Sequence, residues 1–151
     1  DLIERFMAEF EADELRGPPK VLAAPGHSFS DVAKKVISII NLASVAELEN
    51  AAGAPVDPLR FRGNLLVKGW PAWREFDLLG ETIAIGPKAR LKVVKRIVRC
   101  AATEVDPDTG IRDLPIPKTI MDTWGHADCG VYAEVIEGGP IAQRDTIRVI
   151  G

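Results

Sequence analysis

Beyond Pro58 the chain consists of short strand-like runs punctuated by glycine and proline, and this punctuation limits what it can fold into. Proline cannot donate to a sheet ladder and glycine supplies the positive φ of tight turns, so each closes the run before it. "RFRGNLLVKG" reads as a strand ending in a glycine, with Arg60, Arg62 and Asn64 along one side. "TIAIG" and "ARLKVVKRIVR" read as two strands joined by "GPK". "ATEV" and "GIRD" flank "DPDT" as a hairpin loop. There Pro107 suits the second place of a type I turn and Gly110 can supply a positive φ. "GVYAEVI" and "DTIRVIG" read as a closing hairpin around "EGGP". Strands this short, with turns this dense, predict a barrel or a sandwich.

Helices are few. "DLIERFMAEFEADEL" places Ile3, Phe6, Met7 and Phe10 on one face and predicts an amphipathic helix over 1–15, stopped by "RGPP". "KVISIIN" predicts a short buried strand. A helix over 44–52 follows, with Ser44 and Glu47 as its capping box, Ala43 and Leu48 as its staple and Gly53 just past its end. "PKTIMDTW" predicts a third, short helix that tolerates Pro117 in its first turn.

With 151 residues and 46% hydrophobic content the chain suits one domain with a real core. A net charge of -3 argues against a general nucleic-acid binder. No apolar run is long enough to cross a bilayer, and no signal peptide is visible. The chain opens on Asp1 rather than Met, which suggests a piece of a longer one. The two cysteines, Cys100 and Cys129, form neither a disulfide framework nor a CxxC pair, so the expected compartment is reducing, the cytoplasm.

The chemistry-bearing candidates concentrate near these thiols. Arg99 directly precedes Cys100, and a guanidinium favours a thiolate and grips phosphate or carboxylate bidentately. On spacing alone a lone cysteine is more often a small buried hydrophobe. Cys129, just before a strand, reads as packing, and His126 as a hydrogen-bonded structural histidine rather than an acid or base. Lys88, Arg90 and Lys92 read as the solvated face of an edge strand. Trp70 and Trp73 read as packing against the barrel. Arg60, Arg62 and Asn64 on one strand face, with Gly63 admitting a close neighbour, suit an anionic ligand as well as they suit a plain charged face.

Three separated blocks, "FRGNLLVKGWPAW", "IAIGPKARLKVVKRIVRCAATEVDPDTGIRD" and "GHADCGVYAEVIEGGPIAQRDTIRV", resemble the MOSC domain, the molybdenum cofactor sulfurase C-terminal domain. The resemblance runs from roughly Pro25 to Gly151, and its most specific part is Arg-Cys followed by a threonine and then Asp-Pro-x-Thr-Gly. It implies a mainly β (α+β) fold, a MOSC-type β-barrel with a few short helices. The implied role is handling molybdenum cofactor (molybdopterin) or activated sulfur, as a sulfur carrier or an amidoxime-reductase-like module. Cys100 would be the reacting residue and the metal ligand. Arg62 matches the arginine of the family's Arg-x-Asn block, with Asn64 two residues on, and Arg99 and Thr103 complete the implied cofactor-binding set. The implied partners are an anionic pterin and a sulfurase or redox protein, with neither nucleic acid nor membrane. Larger members carry a preceding β-rich segment that residues 1–24 do not resemble.

The competing expectation is a non-enzymatic β-barrel that binds an acidic partner or nucleic acid along its basic strand. Lys88–Arg99 lacks the interleaved aromatic residues on which bases would stack, which counts against it.

Overall fold

The computed structural model describes residues 1–10, 12–13, 15–26 and 34–151. The chain forms two compact units, Asp1–Asp31 and Val32–Gly151.

In the first unit α1 spans Leu2–Phe10, and the Asp1 carboxylate accepts the Ile3 N–H at 2.9 Å as its cap. The helix is shorter than the expected 1–15, and positions 11 and 14 of that expectation lie outside the described residues. Its last turn carries no basic residue to complement the helix C-terminus. The Glu4 carboxylate accepts the Val21 N–H at 2.8 Å and draws the following segment back along the helix.

The second unit is a six-stranded, curled half-barrel with the order β2-β1-β5-β4-β3-β6. Its strands are β1 (Val36–Asn41), β2 (Leu65–Val67), β3 (Thr82–Ile85), β4 (Ala89–Val98), β5 (Asp128–Glu137) and β6 (Ile147–Val149). Among the described residues only β1 and β2 pair in parallel. The closing hairpin expected of β5 and β6 does not form: β5 lies between β1 and β4, and β6 pairs with β3. Val131 and Ala133 of β5 are fully buried, which suits a strand flanked on both edges, and residues 138–146 are too long for a tight turn. Likewise β4 is central rather than an edge. Ala89, Leu91 and Val93 point into the core while Arg90 and Lys92 share the other face, and Lys88 belongs to the preceding turn.

Helix α2 (Leu42–Ala52) begins earlier than the Ser44–Glu47 box implies. Asn41 is its cap, accepting the Ala43 N–H at 3.1 Å, and Ser44 sits in the first turn with its hydroxyl turned to Glu75. Gly53 ends the helix at φ 65° as expected. Helix α3 (Ile116–Trp124) carries Pro117 in its first turn.

The expected strand through "RFRGN" is instead a 3₁₀ turn (Pro58–Phe61). Asp57 caps it by accepting the Leu59 N–H at 2.8 Å, and Arg62 ends it at φ 50°, so strand geometry begins only at Leu65. Arg60, Arg62 and Asn64 therefore do not share a face. "AATE" is also a 3₁₀ turn (Ala101–Glu104), so the "DPDT" loop is closed by a single bridge, Val105 to Arg112. Gly110 takes the expected positive φ of 71°, and the loop closes with the Gly110 N–H on the Asp106 carbonyl at 2.9 Å, one residue wider than a type I turn.

Two apolar clusters make the core. One is built on the sheet around Ile39, Leu91 and Val131, and the other joins Ile40 and Cys129 to α2 and α3. Ile39 and Ile40 divide between them as neighbours on a strand should. Cys129 and Val131 should share a face, yet they fall in different clusters. Gly130 lies between them at φ 79° and turns the strand over. Trp73 packs against both clusters and Trp70 against the first.

Candidate functional site

The end of β4 leads directly into the site. The Arg99 N–H bonds to the Ala127 carbonyl at 2.8 Å, which keeps the end of β4 beside the start of β5. The Arg99 side chain is half-buried. Its Nε donates to the Cys129 carbonyl at 2.7 Å, Nη2 reaches the same oxygen, and Nη1 donates to the Phe61 carbonyl at 3.0 Å. The guanidinium lies over the Phe61 ring, 5.2 Å from its centre. A flexible cation is thereby fixed between β5 and the 3₁₀ turn of Pro58–Phe61. Burial lowers its basicity, and negative charge on Cys129, Tyr132 or Cys100 would oppose that.

Cys100 follows with an exposed thiol. Its carbonyl accepts the Thr103 N–H at 3.1 Å and the Thr103 hydroxyl at 2.9 Å. Thr103 is buried, so its hydroxyl shapes the Cys100 turn from beneath.

Arg60 anchors the same region from below. Its side chain is 2% exposed, and its two terminal nitrogens each meet an Asp113 oxygen at 2.7 Å. Nη1 also donates to the Glu104 carbonyl at 3.1 Å, and Nη2 reaches Asp106 at 3.3 Å. The Arg60 Nε is buried without a partner. One fork thus ties both ends of the "DPDTG" turn to the segment carrying Arg62. Arg60 holds the Asp113 carboxyl below its ordinary value, chiefly by hydrogen bonding. Asp106 is lowered mainly by the N–H and hydroxyl of Thr109.

Arg99, Cys100 and Thr103 stand together, and the bond from Arg99 to the Phe61 carbonyl brings the next residue, exposed Arg62, to the same region. Asn64 faces elsewhere. Its Oδ1 accepts the Ser38 N–H at 2.8 Å and the Ser38 hydroxyl at 2.9 Å, which fastens the start of β2 to β1. Cys129 is fully buried, and burial pushes its thiol up to about 12. The His126 Nδ1 accepts the Asp128 N–H at 3.1 Å, and its ring meets Trp73 and Phe76 edge-on, a structural use of the residue.

Sequence reasoning missed the Arg60–Asp113 clamp, whose partners lie 53 residues apart, and the buried acid Glu75. The only local signal for Glu75 was its place beside Phe76 in "WREFDLL", where aromatic and apolar residues flank the charged ones.

The clamp makes the site acid-sensitive in a defined direction. A carboxyl lowered by folding adds stability above its unfolded value and loses it as pH falls through the folded one. For Asp113 the loss therefore sets in as pH falls into the ordinary carboxylate range and completes below its lowered folded value. We expect amide resonances of Thr109, Gly110 and Ile111 to broaden or shift in that acid range before those of β5. Simultaneous loss across the domain would exclude a local clamp.

A family model described as MOSC domain matches residues 24–148. Among solved structures, the crystal structure of YiiM from Geobacillus stearothermophilus is similar, with 23% identity and a TM-score of 0.57, over 76% of this chain and 54% of that one. The chain thus spans about half the length of that protein. The search of curated proteins found no match.

Proposed function

The chain belongs to the MOSC domain family, and from that premise we propose that it handles molybdenum cofactor or activated sulfur through the thiol of Cys100. The observation that carries this reading is the contrast between the two thiols. Cys100 is exposed just past the end of β4 and directly follows Arg99, whose guanidinium is fixed on the Cys129 and Phe61 carbonyls, whereas Cys129 is sealed in the core.

The residues present suit such a group. A thiolate is a soft metal ligand, and Arg99 and Arg62 offer positive charge to an anionic pterin. Among the described residues no group of three or more His, Cys, Asp or Glu could hold a metal ion, and in this reading molybdenum arrives with ligands from its pterin. When bound, the cofactor supplies the metal's redox chemistry. Cys100 presents a sulfur ligand, Arg62 pairs with the cofactor's phosphate, and Arg99 holds a charge beside the thiol. Thr103 and Asn64 act at one remove, by shaping the Cys100 turn and by fastening β2.

As a sulfur carrier, the Cys100 thiolate attacks the outer sulfur of a donor persulfide, becomes the persulfide itself and releases the donor thiolate. Both roles need a reduced thiol, which fits a reducing compartment such as the cytoplasm and a sulfurase or redox protein as partner. Among the described residues no helix is long and apolar enough to cross a membrane.

The test is to purify wild type and variants from a molybdenum-replete host and measure bound molybdenum and sulfane sulfur. Cys100→Ser should remove both signals and keep the wild-type circular dichroism spectrum. Arg62→Ala should weaken cofactor retention and leave thiol labelling at Cys100 intact. Wild-type levels of both signals in Cys100→Ser would sink this reading. A separate expectation concerns thiol state. Rapid alkylation of native protein should modify Cys100 and spare Cys129, and recovery of a Cys100–Cys129 disulfide would contradict it.

A further inference from the structure

β2 and β6 are the two ends of the sheet, so the outer edge of each is open among the described residues. In β6 the Ile150 N–H bonds to the Thr82 carbonyl at 2.9 Å. In an antiparallel ladder this turns the backbone groups of Arg148 and Ile150 to β3, and those of Ile147 and Val149 to the open side. An open edge is a template for another strand. Between β2 and the segment leading into β6 runs a groove. Two cavities of about 480 and 460 Å³ adjoin there, both lined by Leu66, Val67, Arg144, Asp145 and Ile147. The floor is apolar: Val67 and Ile85 are buried core residues, and Leu65, Trp70 and Ile147 pack against the same cluster. Leu66 and Ile141 add exposed apolar surface to the walls. Single exposed apolar residues are ordinary, but these two line one groove.

The rim is cationic. Lys68 and Arg144 line the groove and are exposed, and neither has an ion pair among the described residues. Arg144 is moreover held at φ 74°, a strained conformation for a residue with a side chain. The turn around it is closed by the Asp145 carboxylate, which accepts the Ala142 N–H at 2.8 Å. Along β2 the side chains alternate, with Leu65 and Val67 toward the core and Leu66 and Lys68 outward. A strand laid beside β2 would meet apolar surface at every second residue and positive charge at the others. We propose that the groove takes an extended segment of a partner protein, apolar and acidic residues in alternation, added as a strand to the open edge of β2. Backbone bonds supply the affinity and the alternation supplies the specificity. A small organic anion would leave the open backbone edges unused. The proposal does not depend on the role of Cys100.

The test titrates ¹⁵N-labelled protein with an acetylated, amidated Val-Glu-Val-Glu-Val-Glu peptide. Amides of Leu65, Leu66, Val67 and Lys68 and of Arg144 to Ile147 should shift, and exchange of the shifted β2 amides with solvent should slow as new ladder bonds form. The matching Val-Lys-Val-Lys-Val-Lys peptide should leave them in place. The acidic peptide N-methylated at every residue keeps its side chains but has no backbone donors, and it should lose binding. The double variant Lys68→Gln, Arg144→Gln should bind the acidic peptide about fivefold more weakly, as expected for two exposed ion pairs. Arg144→Gly relieves the positive φ, so it should also bind more weakly yet unfold no earlier than wild type. No shift with the acidic peptide overturns the proposal, as does equal binding of the lysine or the N-methylated peptide. Wild-type affinity in both variants overturns it too. If the same amides shift when the protein alone is concentrated, the groove belongs to a second copy of the chain and the proposal falls.

Discussion

Gly130→Ala should cost roughly 2–5 kcal/mol, the sum of an αL penalty for a residue with a side chain and the strain of overpacking. Gly130 sits inside β5 at φ 79°, where an L side chain is strained whatever the space. Space is lacking too. A Cβ there would lie 2.6 Å from the Ile39 carbonyl oxygen, 2.7 Å from the Ile40 Cδ1 and 3.2 Å from the Arg99 Nη2. The first of these is backbone of the paired strand β1 and cannot step aside. Such a loss takes a large share of the 5–15 kcal/mol typical of a whole domain, so the variant should be largely insoluble or unfold at much lower denaturant. Gly138→Ala is the matched control: it meets nothing within 4 Å and should unfold close to wild type. A Gly130→Ala midpoint equal to that of the control would show that β5 does not need its turn-over.

Arg60→Met should destabilise the protein by about 2–4 kcal/mol. The substitution keeps apolar bulk in the cavity but removes the fork that satisfies Asp113, Asp106 and the Glu104 carbonyl. Loss of a partner from a wholly buried pair would cost more. Here the carboxylates reach water, with side chains 41% and 26% exposed, which moderates the cost. Arg60→Lys keeps the charge but offers no planar fork and should lose about half as much. Hydrogen exchange separates a local effect from a global one. Gly110, Ile111 and Asp113 should lose protection beyond the fall in global stability, while Val131 and Ala133 should track it. If all amides shift together, the clamp does not organise the turn.

Both predictions concern what holds Cys100 in place, and neither was visible before folding. What could be read from the chain was local. The strands at 36–41, 82–85 and 89–98 followed from apolar runs between turn residues, and the "DPDTG" turn from proline and glycine. The Gly53 stop and the packing of Cys129, Trp70 and Trp73 were likewise read correctly. The family followed from separated sequence blocks and is supported by the match over residues 24–148. The errors also share a cause. "RFRGN" alternates like a strand, but capping by Asp57 and the close approach of Gly63 to Ile40 make it a turn. Ser44 resembles a cap in isolation, yet its hydroxyl serves a carboxylate 31 residues away.

The sequence by itself determined the Gly53 and "DPDTG" turns, the runs that become β1, β3 and β4, the resemblance to the MOSC domain and the thiol that carries the proposed chemistry. Each depends on intrinsic backbone preference or on residue types a few places apart. Only the tertiary structure decided which strands pair, that Arg60 faces acids rather than a ligand, that Arg99 grips the Cys129 and Phe61 carbonyls, and that buried Glu75 is met by Asn41 and Ser44. Those outcomes depend on burial and on donors and acceptors brought together from distant parts of the chain. A buried polar group must be satisfied wherever the fold delivers a partner, and no local pattern specifies that partner.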